Sequence, residues 1–173
     1  MITGKPVRLT INTAVLLGMI LFVSSTDSYA EPFTKGSKRF SIMAGSGTTF
    51  SSNYMIVGLG AGYYAANGLE LGLDGEAWLG GDPDIYKVSP QVTYVVPATS
   101  HIRPYIGTFY RRIFIDGLDD LDTAGVRAGV YIMPGGNWFV GIGAVYESYL
   151  NRDDEIHSSS DDLYPEITIS FSF

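Results

Sequence analysis

His157 and Ser159 form an H-x-S pair with Asp161 and Asp162 close behind, the residue types of a serine hydrolase. In such a site the imidazole takes the hydroxyl proton and a carboxylate orients the imidazole. Serines on both sides of Ser159 and a run of acids before His157 read instead as a polar, solvated loop. The stretch D-G-L-D-D-L-D, Asp116 to Asp122, offers carboxylate oxygens of the kind hard cations take, but without the spacing of an EF-hand. Solvation and repulsion of other anions are its expected role, and no metal is assigned. Glu70 and Asp74 are paired carboxylates that could divide acid and base work. They lack an obvious basic partner in the sequence, so no catalysis is assigned to them. His101, in a turn, reads as surface. There is no phosphate loop, nucleotide fingerprint or thiol, and no cofactor is expected.

A larger constellation is dispersed along the chain: Glu76, Lys87, Arg112, Arg127, Glu147 and Glu166. Three acids and three bases can meet only if the segments carrying them lie side by side with one face turned inward. Gly, Pro and Asn punctuation divides the chain into alternating segments near 38–46, 53–66, 69–80, 84–96, 104–115, 123–133, 137–148 and 162–173. Each is about the nine to eleven residues that a tilted strand needs to cross a bilayer. The expected fold is all-β, an eight-stranded antiparallel up-and-down transmembrane β-barrel. Its charged set then forms a plug of salt bridges, because eight strands enclose an interior just wide enough for side chains. A gate or proton path is the less favoured reading of the same residues.

The alternation is plainest near 69–80, where Leu69, Leu71, Leu73, Ala77 and Leu79 oppose Glu70, Asp74 and Glu76. Near 84–96, Tyr86, Val88, Val92, Tyr94 and Val96 oppose Lys87, Ser89, Gln91 and Thr93. Near 137–148, Trp138, Val140, Ile142, Ala144 and Tyr146 oppose Phe139, Gly141, Gly143, Val145 and Glu147. Glycines on the charged face suit a crowded lumen better than an open solvent surface, so the apolar face is turned to lipid. Tyr63, Tyr86, Tyr94, Tyr105, Trp138, Tyr146 and Phe173 lie near segment ends, as interfacial girdles do. The segment 104–115 is ambiguous, with Ile106 and Phe114 opposing Tyr105 and Phe109. A bulge near Arg111–Arg112 is expected there.

The two ends of the chain supply addresses. Lys5 and Arg8 precede the apolar run Ala14 to Val23, and S-Y-A ends at Ala30. This reads as a secretory signal peptide over 1–30, with the barrel over 31–173; the apolar run is about half the length a membrane helix needs. Cysteine is absent, which excludes disulfides and thiolate metal sites. The formal net charge of −7 makes nucleic acid a poor partner. Connections alternate between tight turns (Ala65 to Gly68, Pro134 to Asn137) and acidic loops holding Asp82, Asp84, Asp116, Asp119, Asp120, Asp122, Asp153, Asp154, Glu155, Asp161 and Asp162. The acidic loops are expected outside. Lys35, Lys38, Arg39 and Arg103 are expected at the periplasmic end.

The last ten residues, Y-P-E-I-T-I-S-F-S-F, set Ile167, Ile169, Phe171 and Phe173 on one face and polar residues on the other. They resemble the terminal signal by which bacterial outer membrane proteins are recognised for assembly. With the run Gly125 to Glu147, they make residues 38–173 similar to the small eight-stranded outer membrane barrels, the OmpA-transmembrane and OmpX-like group. The resemblance implies residence in the bacterial outer membrane among lipids and lipopolysaccharide. It also implies contact with the barrel assembly machinery through Ile169, Phe171 and Phe173, and a monomeric barrel. The group contains anchors, adhesins and enzymes, so activity is not implied. Lipid A 3-O-deacylase barrels carry an H-x-S on a strand with a separate Glu; here the motif falls in a loop and no matching Glu is identifiable. The expected function is therefore non-enzymatic, structural or surface-interacting through short acidic loops. A lipid A-modifying hydrolase and a narrow small-solute or ion pore are the alternatives.

Overall fold

The computed structural model describes residues 31–49, 51–97, 101–150 and 161–173. The signal peptide expected over 1–30 and the His157–Ser159 motif lie outside them. Eight strands follow in order: β1 (Lys38–Thr49), β2 (Ser52–Ala66), β3 (Leu69–Leu79), β4 (Ile85–Val95), β5 (Ile102–Ile115), β6 (Leu121–Gly135), β7 (Trp138–Tyr149) and β8 (Asp161–Ser172). Each pairs antiparallel with its successor, and β8 returns to β1 to close the barrel.

Period-two alternation turns the sheet inside out relative to a soluble protein. Leu71, Leu73, Ile106, Ile142 and Ile167 are exposed on the outer surface, while Glu70, Asp74, Arg127 and Glu147 are buried within. An apolar belt of this kind belongs against hydrocarbon, and a closed ladder is the sheet that hydrocarbon tolerates. The tight turn after β2 needs Gly68, whose φ of +76° is left-handed and whose added Cβ would strike the Val95 carbonyl oxygen.

Two expectations are corrected here. β5 carries no bulge: its pairing with β4 keeps one register from Ile85↔Ile115 to Val95↔Tyr105, and Tyr105, Phe109, Arg111, Ile113 and Ile115 all point inward. The register shifts lie instead at Tyr64/Ala66 and Ile132/Gly135. Tyr105 is consequently a lumen residue and not part of an outer girdle.

Closure is uneven. Lys38 and Phe173 exchange backbone hydrogen bonds of 2.8 and 3.0 Å, and pairing continues from Arg39↔Ser172 to Ile42↔Ile169. Beyond Ile42 the two strands part, although β1 stays paired to β2 as far as Thr49↔Ser52 and β8 to β7 as far as Ser148↔Asp161.

Candidate functional site

The lumen is filled in layers from the end that holds Phe173 to the end that holds Asp84 and Asp116. At the terminal end, Phe33 folds in from the short segment ahead of β1. It packs on Tyr64, Tyr131 and Phe139 with ring centroids 4.8 to 5.7 Å apart. Gly36 N–H donates to Tyr64 O, and Gly68 N–H donates to Phe33 O, so the strap is tied to β2 and its turn. Phe33 holds φ at +69°, a costly backbone for a residue with a Cβ; burial of its ring offsets that cost. Tyr105 stacks on Tyr131 at 4.3 Å and completes an aromatic cork.

The next layer is ionic. Arg39 pairs with Glu70 at 2.8 Å and Asp74 at 3.6 Å; Arg127 reaches Asp74 at 3.3 Å and Glu166 at 3.5 Å. Glycine makes room for it: a Cβ on Gly62 would collide with the Glu70 carboxylate. Above this layer the Phe109 ring lies between two guanidinium groups, Arg127 at 5.1 Å and Arg111 at 4.8 Å.

Arg111 organises the second ionic layer. Its Nε donates to Ser89 Oγ at 2.8 Å, its Nη1 to Glu147 Oε2 and Tyr164 Oη at 2.8 Å, and its Nη2 to Glu76 Oε1 at 3.2 Å. Tyr164 and Thr123 hydroxyls donate to the two Glu147 oxygens. Glu76, Ser89, Arg111, Thr123, Glu147 and Tyr164 come from six different strands, β3 to β8, so the cluster staples the wall. Lys87, the cross-strand partner of Glu76, sets its Nζ 4.1 Å from the Trp78 ring centroid. Toward the acidic end, Tyr54, Ile85, Ile113 and Ile115 make an apolar collar, joined by Trp78, Leu121 and Tyr149. Residues of the second ionic layer and of this collar together line a cavity of about 660 Å³.

Of the six charges read from sequence, Glu76, Lys87, Arg127, Glu147 and Glu166 face the lumen. Arg112 does not. It is on the outward phase of β5 and bonds Asp120 at 2.8 Å and Asp122 at 3.2 Å on the exposed surface. Arg111 occupies the inward place. The reason is the unbroken register of β5, whose two faces are both apolar enough to hide their phase. Glu70 and Asp74 also have the basic partners that the sequence did not reveal, because Arg39 is a lumen residue and not an end charge. Arg39 was legible from alternation in β1, where Phe40 and Ile42 mark the opposite face. Phe33 was not, since it precedes the first periodic segment. Among the described residues, no group of three His, Asp or Glu side chains is disposed to hold a metal ion.

Solved structures share this fold. The N-terminal β-barrel domain of Pseudomonas aeruginosa OprF matches with a TM-score of 0.60 at 15% identity, covering 80% of this chain and 98% of that one. The chain has the fold of a small outer membrane barrel. Neisserial surface protein A matches with a TM-score of 0.51 at 17% identity, covering 79% of this chain and 94% of that one. No protein-family model matches the sequence, and no curated protein matches it.

Proposed function

We propose that the chain is a non-enzymatic outer membrane barrel with a side-chain-plugged lumen. In this reading its acidic end faces outward and its role is structural or surface-interacting. The observation that carries the reading is the stack of filled layers: an aromatic cork and two arginine-centred ionic layers occupy the cross-section in turn. A continuous water path would leave such charges solvated; here Arg39, Glu70, Asp74, Arg111, Arg127 and Glu147 are all buried. Buried charges persist when paired, and the pairing holds the wall rigid. Among the described residues, the lumen carboxylates Glu70, Asp74, Glu76, Glu147 and Glu166 are paired with arginines, which favours a structural role for them over acid–base work.

The neighbours of such a barrel are outer membrane lipids and lipopolysaccharide, and Ile169, Phe171 and Phe173 present its closing strand to the assembly machinery. Envelope fractionation tests the location. The protein should sediment with outer membranes, resist salt and carbonate extraction, and migrate differently on a gel before and after boiling. Recovery in the soluble periplasmic fraction would contradict the reading.

A further inference from the structure

We propose that the gap between β1 and β8 is a lateral opening in which a membrane lipid is held at its head–chain junction, with one alkyl chain lying in the cavity. The proposal rests on the barrel being membrane-embedded, as argued above. β1–β8 pairing stops at Ile42↔Ile169, while both strands continue on their other sides. Continued register would set Ala44 against Ile167 and Ser46 against Pro165.

The sequence works against closing the gap. Lys38 and Phe173 bond one another, so alternate residues of β8 (171, 169, 167, 165) direct their backbone toward β1. Pro165 falls on that phase and has no N–H to give. Proline alone does not part strands: Pro90 interrupts β4–β5 only between Val88↔Arg112 and Gln91↔Phe109. In the seam, however, Pro165 faces Ala44, Gly45, Ser46 and Gly47, which offer little side chain to pack across it.

The cavity reaches the outside through this gap. Its lining includes Ala44, Ser46, Pro165 and Ile167, all on the outward phase of their strands, together with inward residues. Its volume, about 660 Å³, is in the range of small-molecule sites. Phe171 and Leu163 mark the two ends of the apolar outward face of β8, so the unpaired length includes part of its lipid-facing span. Strand edges cannot remain bare in hydrocarbon. The esters or hydroxyls at a lipid's head–chain junction supply partners for the free backbone groups of Ala44, Ser46 and Ile167. Ile56, Trp78, Ile85, Ile113, Ile115 and Leu121 supply an apolar wall for the chain. Glu76, Glu147, Asp162 and Glu166 outnumber Lys87 and Arg111 around the same space, which disfavours an anionic headgroup inside. The uncharged chain is therefore the part admitted.

The chain has two tryptophans: Trp78 lines the cavity, and Trp138 lies on the outer surface. In a Trp138→Phe protein, Trp78 alone reports. Reconstituted in vesicles of phosphatidylcholine with brominated chains, it should be quenched at least twofold relative to unbrominated vesicles. Adding Ser46→Cys and Pro165→Cys to this cysteine-free chain allows a reversible clip across the gap. Oxidation should abolish most of the quenching and reduction should restore it. If the clip does not form, Gly47→Phe serves the same purpose, because a side chain at 47 meets the Trp78 ring and Ile56. Unquenched Trp78 in the open, inserted protein would overturn the proposal. Quenching unchanged by both the clip and Gly47→Phe would overturn the seam as the route. A protein that never becomes heat-modifiable in vesicles would contradict the membrane reading itself, and this proposal with it.

Discussion

Arg111 bonds Ser89, Glu76, Glu147 and Tyr164 at once, whereas Arg112, one residue on, leaves the barrel for Asp120 and Asp122 at the surface. We expect Arg111→Met to lower the unfolding free energy by about 3–5 kcal/mol, since the buried Glu147 and the half-buried Glu76 lose their counter-charge. Arg112→Met should cost far less, because its pairs with Asp120 and Asp122 are exposed to solvent. Urea titration of the vesicle-inserted protein distinguishes them, and equal losses would contradict the assigned phase of β5. In a double-mutant cycle, Glu147→Gln should cost less once Arg111 is already Met, because the two share one network. Sequence could not choose between the neighbours because β5 carries Ile106, Tyr110 and Phe114 on one face and Tyr105, Phe109 and Ile113 on the other. Alternation identifies a lumen face only where that face is polar. Glu76, on a strand whose opposite phase carries Leu69, Leu71, Leu73 and Leu79, and Glu147, beside Tyr146, were therefore readable, and Arg111 was not.

At the scale of the strand, β8 both closes the barrel and leaves it partly open. Phe173 anchors the closed part through its backbone exchange with Lys38. Replacing Phe173 with Lys, or deleting it, should leave processed but unassembled protein. Full heat-modifiable assembly of Phe173→Lys would show that the terminal aromatic has no such role. The strap ahead of β1 makes a parallel case. Phe33→Ala removes a ring buried among Tyr64, Tyr131 and Phe139 and should cost about 3–5 kcal/mol, less any collapse of the site. Protease should then cut the strap, and an uncut, equally stable variant would contradict the cork. Strand positions and the antiparallel order were legible throughout, because Leu, Val and Tyr alternate with Gly and charge. Neither the strap nor the seam has such a signature: residues 31–37 have no period, and strand separation depends on what faces Pro165 in space.

The whole molecule is a wall whose outer face is made for hydrocarbon and whose interior is cross-linked by charge. That arrangement distinguishes three activities. For a hydrolase, His157→Ala and Ser159→Ala would change the lipid A profile of the envelope; we expect no change. For a pore, the filled layers would have to part. We expect them to stay packed in the folded barrel. Single-channel recording in planar bilayers tests this, on protein shown by heat-modifiability to be inserted and folded. The wild-type chain should give no discrete conductance steps across the range of voltages a bilayer withstands. Regular unitary openings from folded wild-type protein would contradict that packing.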